Sequence, residues 1–172
     1  MRRLMPIVMV LAIAGGVTLL IGPVRAADYM PNGPALKWVS ANPPAKAENQ
    51  VVVLTVPLPG GDADSKEVAS FGELYGYSPR TIFVHLNQPT EFSFWNLQSS
   101  EQHDLMLTSP TGEVLLHMQL PELKKTTVVL NFHREGLFNF YCTMHQPYMT
   151  GQIFVLPAID GAATSGPAAS AR

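Results

Sequence analysis

Short runs of alternating apolar and polar residues recur through the middle of the chain and are separated by turn-forming residues. A period of two is typical of strands that bury one face of a sheet. The first run, at 50–56, is rich in β-branched residues and is followed by Pro57. Further strands are predicted at 81–86, 91–96, 105–107, 113–120, 126–132 and 152–156, and one more ends at Cys142. Seven or more short strands with regular turns predict an all-β, two-sheet sandwich.

Two of these runs lie close together along the chain. Residues 81–86 and 91–96 flank a turn signal that contains Pro89. The pattern therefore predicts a hairpin, in which Phe92 and Phe94 point inward.

The N-terminal segment, residues 1–26, is typical of an export signal. Two arginines precede an apolar run at 4–21, and Val24-Arg25-Ala26 supplies the small-residue pattern of a cleavage site. The rival interpretation is an uncleaved membrane anchor, but Pro6 weakens a spanning helix and the run is near the lower length limit for crossing a bilayer. Either way, the rest of the protein is expected to be periplasmic or otherwise extracytoplasmic, and to meet a membrane only if the segment is uncleaved.

Three further regions follow. Residues 27–49 contain several prolines and little periodicity, which predicts an extended leader that Trp38 pins to the domain. Residues 50–157 form the predicted domain. The tail, 158–172, is rich in Ala, Gly and Ser, so it is predicted to be disordered.

Charge and cysteine content limit the function classes. Lys and Arg total 11 against 13 Asp and Glu, without a basic cluster, which argues against a nucleic-acid partner. A single cysteine excludes an internal disulfide, and a lone thiol in an exported protein suggests metal chemistry. No phosphate-binding loop or hydrolase motif is present. We expect a monomer that is not an enzyme.

The candidate chemistry is concentrated in one short stretch. A thiolate, an imidazole and a thioether, which suit copper, occur within eight residues at Cys142, His145 and Met149. Phe138 and Cys142 alternate onto one strand face, after which the chain turns into a loop. Trigonal blue-copper sites use a second histidine, for which His103 is the best candidate.

Each candidate ligand has a simpler interpretation. Cys142 would serve as a small buried hydrophobe, His103 as an ordinary loop histidine and Met149 as packing under the loop. The last alternative is the strongest of the three. The remaining histidines are expected at the surface, away from any metal: His85, His117 and His133.

A family resemblance rests on several motifs taken together. They are Tyr77-Ser78-Pro79, Ile82-x-Val84, Phe92 and Phe94, His103, and Gly136-x-Phe138-x-Phe140-x-Cys142-x-x-His145-x-x-x-Met149. This arrangement, across roughly half of the chain, resembles the cupredoxin family of blue copper proteins, with a cysteine-to-histidine spacing similar to that of plastocyanin, pseudoazurin and amicyanin.

The resemblance implies a Greek-key sandwich with one type 1 copper ion at one end. The ligands it implies are His103, Cys142, His145 and Met149. It also implies single-electron transfer to redox protein partners that dock near His145, where Met144 and Tyr148 are expected to form an apolar surface.

Two positions depart from the plastocyanin-like pattern. Asp104 and Met144 stand where Asn and Pro are usual. We expect Asp104 to accept a hydrogen bond from the Thr143 hydroxyl or backbone. An ionised carboxylate near the thiolate favours Cu(II) and lowers the reduction potential.

Two other function classes remain open. The first is a periplasmic copper carrier that uses the same ligands, with Met106, Met118 and Met144 as extra soft donors. The second is an enzyme. A nitrite-reductase-like oxidoreductase requires a second domain, and a Cys-His hydrolase requires an oriented base that nothing in the sequence indicates.

Overall fold

The computed structural model describes residues 28–43, 45–58 and 74–159. These residues form one short 3-10 helix, Gly33–Lys37, and ten strands: β1 (Val39–Ala41), β2 (Asn49–Pro57), β3 (Tyr75–Ser78), β4 (Thr81–His85), β5 (Thr90–Asn96), β6 (His103–Thr108), β7 (Val114–Leu120), β8 (Lys125–Phe132), β9 (Gly136–Tyr141) and β10 (Thr150–Leu156). In this described part, no helix has the length and apolar character needed to cross a membrane. The predicted export signal and nearly all of the predicted tail lie outside it.

The strands form two five-stranded sheets. One has the order β1-β8-β5-β2-β3 and the other β4-β10-β9-β6-β7. The pairs β2/β5 and β4/β10 are parallel, and the other pairs are antiparallel. The predicted all-β, Greek-key sandwich is confirmed.

The predicted hairpin between the strands at 81–86 and 91–96 is wrong. β4 pairs with β10 in one sheet, whereas β5 lies between β2 and β8 in the other. The backbone N–H of Leu86 donates to Leu156 at 2.9 Å and that of Asn87 to Phe132 at 2.8 Å, so the connection crosses between the sheets. Both strands bury an alternating face in the same core, so the pattern of alternation is the same for a crossover as for a hairpin.

The core between the sheets is rich in aromatic side chains. Phe92, Phe94, Phe138 and Phe140 are all at most 2 % exposed, which confirms the predicted inward faces. Phe138 packs edge-to-face on Phe132 at 4.9 Å between ring centroids. Close-packed aromatic rings leave little free volume, so the strand that leads to Cys142 has a stiff support.

The stretch at 27–49, predicted as an extended leader, contributes the 3-10 helix and β1 to the fold, so the sandwich begins before residue 50. Trp38 donates through Nε1 to Glu113 at 3.0 Å and packs edge-on against Phe138, with 6.0 Å between ring centroids. The indole therefore pins this stretch to the domain, as predicted. The short strand was not predicted because three residues are too few to show a period of two, and because the surrounding prolines are typical of extended segments without strands.

Candidate metal centre

One end of the β4-β10-β9-β6-β7 sheet collects the candidate ligands. β6 and β9 are antiparallel neighbours, with Met106 opposite Tyr141. The first residue of β6, His103, therefore lies at the same end as Cys142, which follows β9. The loop from β9 to β10 begins there too and carries His145.

Three of the predicted ligands come together at this end. His103 Nδ1 lies 3.1 Å from His145 Nδ1, and Cys142 Sγ lies 3.4 Å from the same nitrogen. One ligand atom from each of the three residues falls within 4.8 Å of the other two, the only such group of His, Cys and acidic residues among those described. His103 and Cys142 are fully buried, whereas the His145 side chain is 21 % exposed.

Met149 is fully buried at the end of the same loop. Its carbonyl accepts from the Cys142 N–H at 2.9 Å, and its own N–H donates to the His145 carbonyl at 3.0 Å. The Gln146 amide donates to the Cys142 carbonyl at 2.8 Å. These bonds close the loop over the site, and the role of Met149 as a fourth ligand stays a prediction.

Gln98 orients the His103 ring. Its Oε1 lies 3.2 Å from His103 Nε2, and its Nε2 donates to the Thr55 carbonyl at 3.2 Å. Because the amide nitrogen is occupied at Thr55, the oxygen faces the imidazole and accepts a hydrogen bond from the Nε2–H. The lone pair of His103 Nδ1 is then directed toward Cys142 and His145.

Asp104 fastens the cysteine loop to β6. Its Oδ1 accepts from the Thr143 N–H at 2.6 Å, and its Oδ2 accepts from the Thr143 hydroxyl. The predicted bond between these residues is therefore confirmed. His117 Nε2 lies 2.8 Å from the same Oδ2. Burial would raise the pKa of Asp104, but the hydrogen bonds from Thr143 and His117 outweigh it and lower that pKa.

His117 differs from the surface histidine that the sequence predicted, since it is half-buried and bonded to Asp104. The prediction failed because the contact depends on the register of β6 and β7. His85 and His133 bond elsewhere: His85 Nδ1 lies 2.7 Å from the Pro157 carbonyl, and His133 lies 3.1 Å from Asn87.

Burial sets the charge of the site. It raises the pKa of the Cys142 thiol to about 11 and, with the neighbouring His145, lowers the pKa of His103 to about 4. At neutral pH the thiol is protonated and the His103 ring is neutral. A bound cation favours the thiolate over the thiol and leaves the imidazole neutral. One sulfur with two nitrogens is a donor set that fits copper.

The rim of the site is partly open and carries both apolar and charged side chains. Met144 is 50 % exposed beside His145, and the buried Tyr75 ring packs against both histidine rings, with centroids 4.9 Å from His103 and 5.0 Å from His145. Glu101 Oε2 lies 3.8 Å from His145 Nε2. Tyr75 and Gln98 were missed in the sequence because both contact the histidines from loops or strand ends that have no metal-binding pattern.

A family model described as a cupredoxin-like domain matches residues 35–155. The chain belongs to the cupredoxin family. Cupredoxins are copper electron-transfer proteins, act with redox partners and are generally exported. The matched residues include the three converging candidate ligands, so the matched domain contains the candidate metal centre.

Two solved structures that share this fold differ in how much of their own length the alignment covers. Auracyanin B aligns with a TM-score of 0.50 at 12% identity, covering 70% of this chain and 99% of its own. A multicopper oxidase from Campylobacter jejuni aligns with a TM-score of 0.51 at 12% identity, covering 66% of this cupredoxin and 31% of the oxidase. These likenesses show the fold alone. A search of curated proteins finds no match.

Proposed function

We propose that this cupredoxin holds one copper ion in a type 1 site formed by His103, Cys142 and His145, with Met149 as the fourth ligand. Its role is to pass single electrons between exported or membrane redox partners, without catalytic activity of its own. The observation that carries the proposal is the convergence of one sulfur and two imidazole nitrogens within 4.8 Å at a buried end of the sandwich. When bound, copper supplies a one-electron Cu(I)/Cu(II) couple.

The surroundings of the ligands favour electron transfer because they resist rearrangement. Gln98 fixes the His103 ring, and Asp104 fixes the loop through Thr143. Phe140, which is 1 % exposed, lies on β9 two residues before Cys142, and buried aromatic packing there helps to keep water from the sulfur. Ligands held by packing and hydrogen bonds move little when the charge of the metal changes.

His145 is the proposed exit for the electron. Its side chain is the most open of the three converging ligands, at 21 % exposed, and Met144 beside it is 50 % exposed. An exposed apolar side chain beside an open ligand suits transient docking of a redox protein. The export signal predicted at 1–26 would place these partners outside the cytoplasm.

The proposal is tested by loading the purified protein with Cu(II). We expect an intense visible band from thiolate-to-Cu(II) charge transfer and a reversible one-electron couple in voltammetry. A colourless copper complex would contradict the proposal.

The alternative copper-carrier function is distinguished by metal exchange. Of the three methionines considered as extra donors, Met118 is 1 % exposed within the core and Met106 lies in β6, while Met144 borders the site. A carrier would release copper to a weak chelator and show no reversible couple. We expect this protein to keep its copper through repeated oxidation and reduction.

Replacing Gln98 with Ala is expected to weaken copper binding. The substitution removes the acceptor of the His103 Nε2 proton, so the ring can rotate or change tautomer. Loss of such a partner lowers metal affinity by roughly 10- to 100-fold. Competition with a chelator of known affinity measures the change.

Gln102→Ala is the matched control because Gln102 is exposed and its side-chain amide bonds to Gln119, not to a candidate ligand. Equal copper affinities for the Gln98 and Gln102 variants would show that Gln98 does not orient His103.

A further inference from the structure

Asp104 and His117 form a polar pair beside the proposed copper site. We propose that they act as one unit, in which His117 is a positioning residue that works through Asp104. Its hydrogen bond reduces the negative charge that the Asp104 carboxylate places near Cys142, and so raises the reduction potential of the proposed copper site. The redox part of this inference rests on the proposed function. The pairing itself is a property of the metal-free protein.

The geometry connects His117 to the cysteine in three steps. His117 Nε2 lies 2.8 Å from Asp104 Oδ2, and Asp104 accepts both the backbone N–H and the hydroxyl of Thr143. Thr143 directly follows Cys142. An ionised carboxylate has only acceptors, so the hydrogen between His117 and Asp104 belongs to Nε2.

Strand register places the two residues on one face. Asp104 lies opposite Gln119 in the β6/β7 pair, and His117 lies two residues before Gln119. Diagonal neighbours on the same face of a sheet are within reach of a long or aromatic side chain. The contact therefore follows from regular pairing and needs no special loop.

The edge of β7 that faces away from β6 is hydrogen-bonded to the N-terminal stretch. Tyr29 N–H donates to the His117 carbonyl at 2.7 Å, and His117 N–H donates to the Tyr29 carbonyl at 2.9 Å. Asp28 Oδ1 accepts from the Gln119 N–H at 2.9 Å. The N-terminal stretch thus fixes the backbone of the edge strand at the residue that bonds Asp104.

Because Asp104 is buried, its hydrogen bond to His117 is expected to affect the reduction potential. The residue is 2 % exposed, so its charge is weakly screened by water. A donor on Oδ2 withdraws negative charge from the carboxylate, whether the imidazole is neutral or cationic. Without that donor, more negative charge remains near the thiolate, which favours Cu(II) and lowers the potential.

A double-mutant cycle on the copper-loaded protein tests the unit. Asp104→Asn is expected to raise the potential because it removes the charge. His117→Phe is expected to increase the preference for Cu(II) over Cu(I) about tenfold, a fall of about 59 mV for one electron. In the Asp104→Asn background His117→Phe should not change the reduction potential, since residue 104 then carries no negative charge for His117 to reduce.

Two further variants separate charge sharing from a structural role. His117→Gln keeps an N–H donor and should retain most of the original potential. His85→Phe is the control. His85 is a half-buried histidine paired with Leu156 at the end of β10, which is the end far from the β9–β10 loop and the candidate ligands. This change should leave the reduction potential unchanged. Equal shifts from His117→Phe in both backgrounds would overturn the inference.

Urea unfolding of the metal-free variants gives a readout that does not depend on copper. The unfolding free energies should show a favourable coupling between residues 104 and 117. If the wild-type protein lacks a visible band but this coupling is present, the proposed function fails and the pairing stands. A coupling of zero overturns the pairing, with or without copper.

Discussion

The Cys142→Ser protein is expected to lose the intense visible absorption of the copper-loaded form completely. The band depends on charge transfer from a thiolate, and a serine hydroxyl is neither as soft nor as easily deprotonated. Cys142 is the only cysteine in the chain, so no second sulfur can replace it. Absorption spectra recorded during a Cu(II) titration measure the loss, and voltammetry should show no reversible couple.

The control for this experiment is Met144→Leu, a change in the same loop at an exposed side chain that we do not assign as a ligand. It should keep the band, and circular dichroism should show strand content unchanged in both variants. A Cys142→Ser protein that keeps the band at its original intensity would remove the thiolate from the site and end the type 1 assignment.

The Gly151→Ala protein is expected to be less stable by about 3 kcal/mol, at the upper end of typical overpacking costs. A Cβ at Gly151 would lie 2.2 Å from Cζ of Phe140 and 2.8 Å from the Arg80 carbonyl oxygen. Phe140 is 1 % exposed in the core, so its ring has little room to move. The midpoint of urea unfolding of the metal-free protein measures the loss.

Gln152→Ala is the matched control on the same strand because Gln152 is exposed, and it should change stability by no more than about 0.5 kcal/mol. A Gly151→Ala protein as stable as the control would mean that the Phe140 ring can shift. The packing around Phe140 would then restrain Cys142 less than we infer. Because the ligands could rearrange more when the charge of the metal changes, slow electron exchange would be expected.

The strands that the sequence predicted correctly, and the proximity of Cys142 and His145, depend on short-range patterns. The strand before Cys142 shows a period of two, and His145 follows within three residues, so local spacing predicts their proximity. His103 needs a different argument, because it is distant in sequence and is only the best candidate among the remaining histidines. The structure brings its Nδ1 to 3.1 Å from His145 Nδ1.

The features that the sequence did not predict depend on how strands are arranged. Alternation in β4 and β5 shows which side chains face inward but not which sheet holds each strand, hence the incorrect hairpin. His117 reaches Asp104 only through the register of an edge strand. Gln98 is an ordinary polar loop residue until its hydrogen bonds to Thr55 and His103 are known.

The pairing of Tyr29 with His117 also affects where a truncated form of this domain can begin. The family match begins at residue 35, but a chain started there lacks both backbone bonds on the outer side of β7. Unpaired N–H and C=O groups on an edge strand are a template for strands of other molecules. A shortened form made for laboratory work should therefore keep Asp28 and Tyr29, which shield that edge from self-association.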